Sequence, residues 1–387
     1  MIGDMKAQNL KRMVESKGLQ KTLDHLREAL QKRYLRPEDF SIKNLFAGLV
    51  DNGEEVLRRM EPGNGGGMRL AEAVHAVDTS AFSNITGQIF FNKIQDAYRN
   101  ENFIWPELVE TIPTTNLNGE RIPGIGAIGD KSTAVAEGNP YPVVGVSEIY
   151  VDTPPPLKFG EIVAITREAL IADRTGLLLK RASDVGQSLG FKKEKAVLDC
   201  VLGVTNTYKR NGTSSNTYLT SGAYINSQTG NSLVNWRNVE NADLLFAAIT
   251  DPSTGEPVMM PPNRVLICPP ALRMTALRIL RATSVEEVDN RVASSTMRAS
   301  SPNPLGAGYY TVVSNQYVYS RTSSNTQWFY GAPKEAFAWM QVWDIQVLQA
   351  PVNSEVSFTH DIEMRFRADY MGIPAVLEPR KMTKNDA

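Results

Sequence analysis

Cysteine and histidine are scarce in this chain of 387 residues: two cysteines, Cys200 and Cys268, and three histidines, His25, His75 and His360. Two cysteines cannot staple a disulfide scaffold, no CxxC pair stands ready for zinc, and a histidine-rich metal site is excluded. Long apolar runs are missing as well. No stretch of about 18 apolar residues exists, so no membrane-spanning helix is expected. The opening residues MIGDMKAQNLKRMVESKG lack the apolar core and cleavage-like site of a secretory signal, so synthesis in a cytoplasm is expected. Asn84-Ile-Thr86 and Asn211-Gly-Thr213 are accordingly read as chance matches to the glycosylation pattern. Charge of one sign is also lacking: Lys+Arg is 41, Asp+Glu is 42 and the net charge is -1. A protein that grips nucleic acid through many phosphates carries a basic excess; here only a local patch can supply one. Nothing in the balance points to an anionic membrane as partner.

Motifs that carry chemistry are equally thin. GxxxxGK[ST], HExxH, GxSxG and EF-hand loops do not occur. Gly124-Ile-Gly-Ala-Ile-Gly129 fits GxGxxG, but a pyrophosphate site needs a strand before it and a helix after it. Pro123 precedes it, and no helical pattern follows before Gly138-Asn-Pro140, so a loop is the better reading. His360 lies on the polar side of an alternating stretch with no nucleophile assignable to it. Asp361 and Glu363 resemble a carboxylate pair, yet Arg365 and Arg367 share their face and ion pairing is the simpler role. Cys200 and Cys268 continue apolar patterns and read as buried small hydrophobes; Trp339 and Trp343 read as core. No catalytic, cofactor-binding or metal-ligating residue is assigned, no cofactor is expected, and the chain is not expected to be an enzyme.

What the chain does have is length in its elements. Residues 4–35 read as one helix, with Leu19, Leu23, Leu26 and Leu30 at spacings of four, three and four, ended by Arg36-Pro37-Glu38-Asp39. A second helix is expected over 41–60. Residues 1–60 carry 12 basic and 9 acidic side chains, an excess of +3, and read as a solvated helical hairpin or as an arm against a neighbouring subunit. Pro62–Gly67 holds four glycines in six residues and marks a hinge. A helix around 82–100 presents Phe90, Phe91, Ile94 and Tyr98. Residues 105–165, rich in Pro, Gly, Thr and Val, suggest a long hairpin or open β arm that needs a partner, because isolated hairpins are marginal in water. A helix of roughly 43 Å is expected over 174–202, with Asp173 as N-cap and Gly203 at its end. Its apolar rhythm is interrupted at Lys192 and Lys193. A polar stretch, 203–232, reads as loop with a weak hairpin. Helix 236–249, strand 264–268, helix 271–282 and strands near 309–313 and 327–330 follow. Phe337, Trp339, Trp343, Ile345 and Val347 alternate, and Val356 through Tyr370 alternate over fifteen residues, as one long strand with a buried face and a charged face.

This order of elements resembles the major capsid proteins of tailed bacteriophages with the Hong Kong 97-like fold, over roughly residues 80–380. "LIADRTGLLLKRASDVGQSLGFKKEKAVLDCVLG" is similar to the family's spine helix, "PNRVLICPPALRMTALRIL" to the axial strand-then-helix, and "TQWFYGAPKEAFAWMQVWDIQV" with "HDIEMRFRADYMGIPAVLEPRKM" to the closing peripheral strands. The resemblance implies an α+β fold divided into a helical N-terminal extension and Gly-rich hinge (1–67), an N-terminal arm (68–117), an extended β-hairpin loop (118–166), a peripheral part with the spine helix (167–235), an axial α/β domain (236–335), and closing peripheral strands with a C-terminal tail (336–387). It implies self-assembly into hexamers and pentamers of an icosahedral head in the virion, built in the host cytoplasm. Portal, scaffold or decoration proteins are implied as further partners, with nonspecific contact to double-stranded DNA at the inner surface and no membrane. Some relatives crosslink a loop Lys to a peripheral Asn with the help of a Glu; Lys131 or Lys158, with Asn353 and Glu363, stand in similar regions, and no crosslink is assigned to them. The rival readings are an encapsulin-like bacterial nanocompartment shell, disfavoured by the length and helical preface, a soluble enzyme with no recognisable motif, and a β-rich adhesin or tail component, against which the mid-chain helix speaks.

Overall fold

The computed structural model describes residues 7–50, 53–60, 76–123, 135, 149–166, 172, 174–222, 224–251, 255, 257–288, 298–305, 310–350 and 362–387. Its helices are α1 (Ala7–Lys17), α2 (Leu19–Gln31), α3 (Ile42–Leu49), α4 (Gly53–Met60), α5 (Ala76–Tyr98), α6 (Trp105–Leu108), α7 (Thr175–Val201), α8 (Trp236–Ala248), α9 (Pro270–Arg281), α10 (Gln316–Thr322) and α11 (Pro333–Ala336). Its strands are β1 (Glu110–Pro113), β2 (Arg121–Pro123), β3 (Tyr150–Asp152), β4 (Leu157–Thr166), β5 (Lys209–Arg210), β6 (Thr213–Ser214), β7 (Ser227–Gln228), β8 (Arg264–Cys268), β9 (Ser284–Val288), β10 (Arg298–Pro302), β11 (Tyr310–Ser314), β12 (Trp328–Gly331), β13 (Phe337–Gln349), β14 (Ile362–Val376) and β15 (Met382–Asn385). The content is mixed α+β. The chain divides into two compact units, neither of them continuous: Met1–Phe103, Lys158–Lys192 and Trp343–Met371 form the first, and Ile104–Leu157, Lys193–Val342 and Gly372–Ala387 the second.

In the first unit the N-terminal region departs from the expected hairpin of two helices. Gly18 adopts φ +81° and splits the first helix into α1 and α2. Ser41 then caps α3, its hydroxyl accepting the Asn44 N–H at 3.2 Å. Extended backbone at Val50 stops α3 before α4. The result is a small helical cluster with its own core: Leu10, Leu26, Leu45 and Phe46 are fully buried. α2 and α3 pack on α5. Arg33 pairs with Asp96 of α5 at 2.9 Å, and Lys93 of α5 pairs with Glu38. The glycine-rich hinge at 62–67 lies outside the described residues.

α5 begins at Ala76, earlier than its apolar pattern indicates, and buries Ile85, Ile89, Phe90, Ile94 and Tyr98. The part of α7 in this unit approaches α5 closely because Gly186 faces the Ile94 carbonyl and the Ala97 methyl. The sheet of this unit runs β13-β14-β4. Its helix-facing side is aromatic: Phe90 of α5 stacks on Phe366 at 4.7 Å between ring centres, and Tyr370 lies between Tyr98 (5.6 Å) and Phe159 (5.5 Å).

In the second unit, β1 pairs in parallel with β13, Glu110 opposite Ala338. β2 and β3 pair antiparallel, Arg121 opposite Asp152, and continue through β5 to β6. β2 and β3 fall at the two ends of the expected long hairpin; the stretch between them, 124–148, is outside the described residues apart from residue 135. A five-stranded sheet of order β11-β8-β12-β15-β7 carries α8 and α9, around a core of Trp328, Tyr330, Phe246, Leu266 and Ile279. Several elements have no counterpart in the sequence pattern, among them the antiparallel pair β9 and β10, and α10. Asn315 caps α10 through a 3.0 Å bond from the Tyr317 N–H. The long alternating strand also shifts. Its described part starts at Ile362 and runs on to Val376, and Asp369 on its charged face is 1% exposed at the side chain.

Candidate functional site

Three polar clusters are held inside the fold, each within one unit. The first sits where α7 passes into the second unit. Lys193 is 1% and Glu194 0% exposed, an unusual pair of neighbours to bury. The Lys193 ammonium lies 3.6 Å from the centre of the Trp105 ring and 4.7 Å from that of Trp339. Glu194 accepts the N–H groups of Ile104 (3.2 Å) and Trp105 (2.9 Å) and the side-chain amide of Asn315 (3.2 Å). Burial raises the Glu194 pKa, and the two backbone donors oppose that rise. The lysine that breaks the apolar rhythm in sequence is thus packed inward. Its spacing of four from both Leu189 and Val197, themselves buried, was the available signal.

The second cluster centres on Asp369 of β14 in the first unit. Its carboxylate accepts from Arg367 Nε at 3.1 Å and from Trp343 Nε1 at 3.2 Å, with Lys158 Nζ at 3.7 Å. The third is Arg380 in the second unit, which donates twice to Glu378 at 2.6 Å and lies 3.5 Å from Asp251. The second and third are networks of opposite charge, whereas in the first the cation faces indole rings and the carboxylate accepts from backbone and amide donors. None contains a hydroxyl or thiol nucleophile, and satisfied buried polar groups of this kind rigidify the fold around them.

The residues weighed from sequence fall as follows. Gly124 to Gly129, Lys131, Asn353, His360 and Asp361 lie outside the described residues, as does the side chain of Glu363. Lys158 meets Asp369 and the Trp343 ring in its own chain. Trp339 is core, and Trp343 is half-buried and spends its N–H on Asp369. Arg367 is ion-paired, but with Asp369. Cys200 and Cys268 are buried free thiols, their pKa values pushed up by burial to about 12 and about 11, so neither forms a ready thiolate at neutral pH. Among the described residues no group of three or more His, Cys, Asp or Glu side chains converges as a metal set, and no helix is long and apolar enough to cross a membrane.

The surface carries more that is unusual than the interior. Large apolar side chains stand in water on both units: Ile162 and Leu348 in the first, Leu244, Met259 and Met274 in the second, with Met259 89% exposed. Scattered exposed apolar residues are ordinary, but a protein whose contacts lie with copies of itself displays them on several sides. Comparison with known families gives this pattern its meaning. The model of the family described as "Phage capsid protein" matches residues 151–385, more than half of the chain. The chain belongs to the phage capsid protein family. It is a structural component of the virion capsid and not an enzyme.

No curated protein matches this capsid protein. Among solved structures it is similar to the cyanophage Pam1 capsid (11% identity over 74% of this chain and 93% of that one, TM-score 0.45). It is similar also to the capsid of a native GTA particle (11% identity, 74% and 90%, TM-score 0.44). A virus-like particle from Pyrococcus furiosus aligns at 12% identity over 77% of this chain and 97% of that one, with a TM-score of 0.37. The assignment rests on the family match, not on these likenesses.

Proposed function

We propose that this capsid protein is the major subunit of a tailed-phage head with the Hong Kong 97-like architecture, and that its copies assemble as hexamers and pentamers into an icosahedral shell around double-stranded DNA. The observation that carries the reading is the family match over 151–385. It is supported by element order: a β arm based on β2 and β3, the 27-residue α7, an α/β portion with α8, β8 and α9, and closing strands β13 and β14. In this reading 1–67 is an N-terminal extension, 68–117 the arm, 118–166 the extended loop, 167–235 the peripheral part with the spine, 236–335 the axial domain and 336–387 the closing strands. The match to a phage capsid family favours a phage head over an encapsulin-like compartment. Portal, scaffold and decoration proteins are further partners that this role accommodates.

Sedimentation and negative-stain microscopy of the full chain test it. Closed particles tens of nanometres across are expected. A monodisperse monomer or dimer at every concentration and salt, including in the presence of phage lysate factors, overturns it. Deletion of 124–148, which spares the β2–β3 pairing, is expected to leave folded subunits that assemble poorly.

A further inference from the structure

The net charge of -1 conceals an uneven distribution along α7 in the first unit. Successive helical residues turn by about 100°, which brings Arg174, Leu177, Lys180, Arg181, Asp184, Ser188 and Lys192 onto one arc about 120° wide. The opposite arc, with Leu178, Ala182, Gly186 and Leu189, is buried. Arg174, Lys180, Arg181 and Lys192 are all exposed, and among the described residues none of the four forms an ion pair; Lys192 does face the Phe159 ring, its ammonium 5.5 Å from the ring centre. Asp184 is the one exposed carboxylate on that arc, leaving four cations against one anion, a local excess of +3. Glu161 of β4 borders the arc through its 2.6 Å bond from Ser188, which lowers the excess to +2.

The opposite face of the sheet in the same unit offers the contrast. Lys158 and Arg367 are basic there too, but both are committed to Asp369. Cations neutralised by a carboxylate within the fold have little left to give a partner, whereas cations on a rigid helix that face no carboxylate keep their full charge for a polyanion, Lys192 included, since an aromatic ring does not neutralise it. From Lys180 to Lys192 the helix advances about 18 Å. Duplex DNA carries a charge every ~1.7 Å of axis, so such a row never lacks phosphates in any sequence or register. Leu177 and Phe191 are the apolar side chains exposed on the same arc, and the Phe191 ring packs edge-on against Phe103 at 5.2 Å.

We infer that the exposed arc of α7 formed by Arg174, Lys180, Arg181 and Lys192 is the face of the subunit that meets packaged duplex DNA, through phosphates and without base readout. The inference rests on the capsid reading above and goes beyond it by naming the surface that faces the packaged genome, and so the orientation of the first unit in the shell wall.

The test uses the full chain and a mixed-sequence linear duplex of about 30 base pairs, with affinity measured across a salt series. Each phosphate neutralised contributes about -0.9 to the slope of log K against log salt. The triple variant Lys180→Gln, Arg181→Gln, Lys192→Gln is expected to flatten the slope by about 2–3, with equal loss for unrelated sequences. The double variant Arg273→Gln, Arg278→Gln, which removes exposed cations from α9, is expected to leave the slope unchanged. Circular dichroism confirms that each variant is folded. An unchanged slope in the triple variant, or an equal flattening in the α9 variant, overturns the inference. So does a triple variant that keeps its DNA slope but loses particles in sedimentation, because the arc is then a contact between copies. Failure of the wild-type chain to form particles strikes the capsid reading alone, since the slope is measured on whatever species binds.

Discussion

The Lys193 ammonium sits 3.6 Å from the centre of the Trp105 ring, with both groups packed in the second unit. A cation held against an indole in a dry site is stabilised by the ring's negative face, by about 2 kcal/mol when desolvated. Lys193→Ala removes that contact and opens a cavity, so a loss of about 2–4 kcal/mol is expected, while Lys193→Met, which keeps the volume, is expected to cost less. Urea unfolding of the three proteins decides; equal stabilities mean that the ring contact contributes nothing.

Glu194, beside it, gives a pH signature. Its pKa in the folded chain is raised by burial, against the opposing pull of the Ile104 and Trp105 N–H groups. A carboxyl whose folded pKa lies above its unfolded one favours the folded state most when protonated. Its contribution is complete below the ordinary glutamate range and is lost as pH rises through the folded value. Glu194→Gln mimics the protonated form permanently. The wild type is therefore expected to gain stability relative to Glu194→Gln as pH falls toward the ordinary glutamate range, read from paired denaturation curves. The opposite trend contradicts the burial-driven shift.

Asp369 anchors the sheet of the first unit. Asp369→Ala strands the Trp343 N–H and leaves Arg367 and Lys158 without their anion, an expected cost of about 2–4 kcal/mol. Asp369→Asn, which preserves an acceptor, is expected to fall between. Thermal unfolding of the two variants gives the order, and an alanine variant as stable as wild type rules out the anchoring role.

Two glycines of α7 separate packing from backbone freedom. At Gly186 an added methyl presses on the Ile94 carbonyl oxygen and comes within 2.9 Å of Ala97 Cβ, whereas at Gly176 nothing lies within 4 Å. Gly186→Ala is expected to cost about 1–3 kcal/mol through overpacking, and Gly176→Ala to gain up to about 1 kcal/mol from the better helix former. The same sign for both refutes the close α5–α7 approach.

Sequence patterning identified what periodicity controls and missed what partnership controls. α7 is legible nearly to the residue because a long apolar stripe ends at Gly203, whose φ is +67°. α8, β8 and α9 are legible for the same reason. The single helix expected over 4–35 fails at Gly18: the leucine spacing that suggests it, Leu19 to Leu30, lies wholly after the break, and Leu10 before it falls on the opposite face. β9 and β10 escape notice because Ser284–Val288 and Arg298–Pro302 carry too little apolar alternation to mark a strand, and their pairing with each other defines them. Asp369 falls on the charged face of the alternating strand, and a sequence does not show that Arg367, Lys158 and Trp343 close over it. The surfaces on which a shell depends were visible only as elements too long for one core.

The chain passes between its two units after Phe103, Leu157, Lys192, Val342 and Met371. No single cut yields either unit as a contiguous polypeptide, so neither can be exchanged between related genes as a cassette or expressed as a fragment by simple truncation. Recombination within this gene has to fall in loops or at the N-terminal helices to leave a foldable product. Ribosomal synthesis faces the same constraint. The sheet of the first unit cannot close until Met371 has emerged, so the nascent chain holds an unfinished unit through almost the whole of its translation.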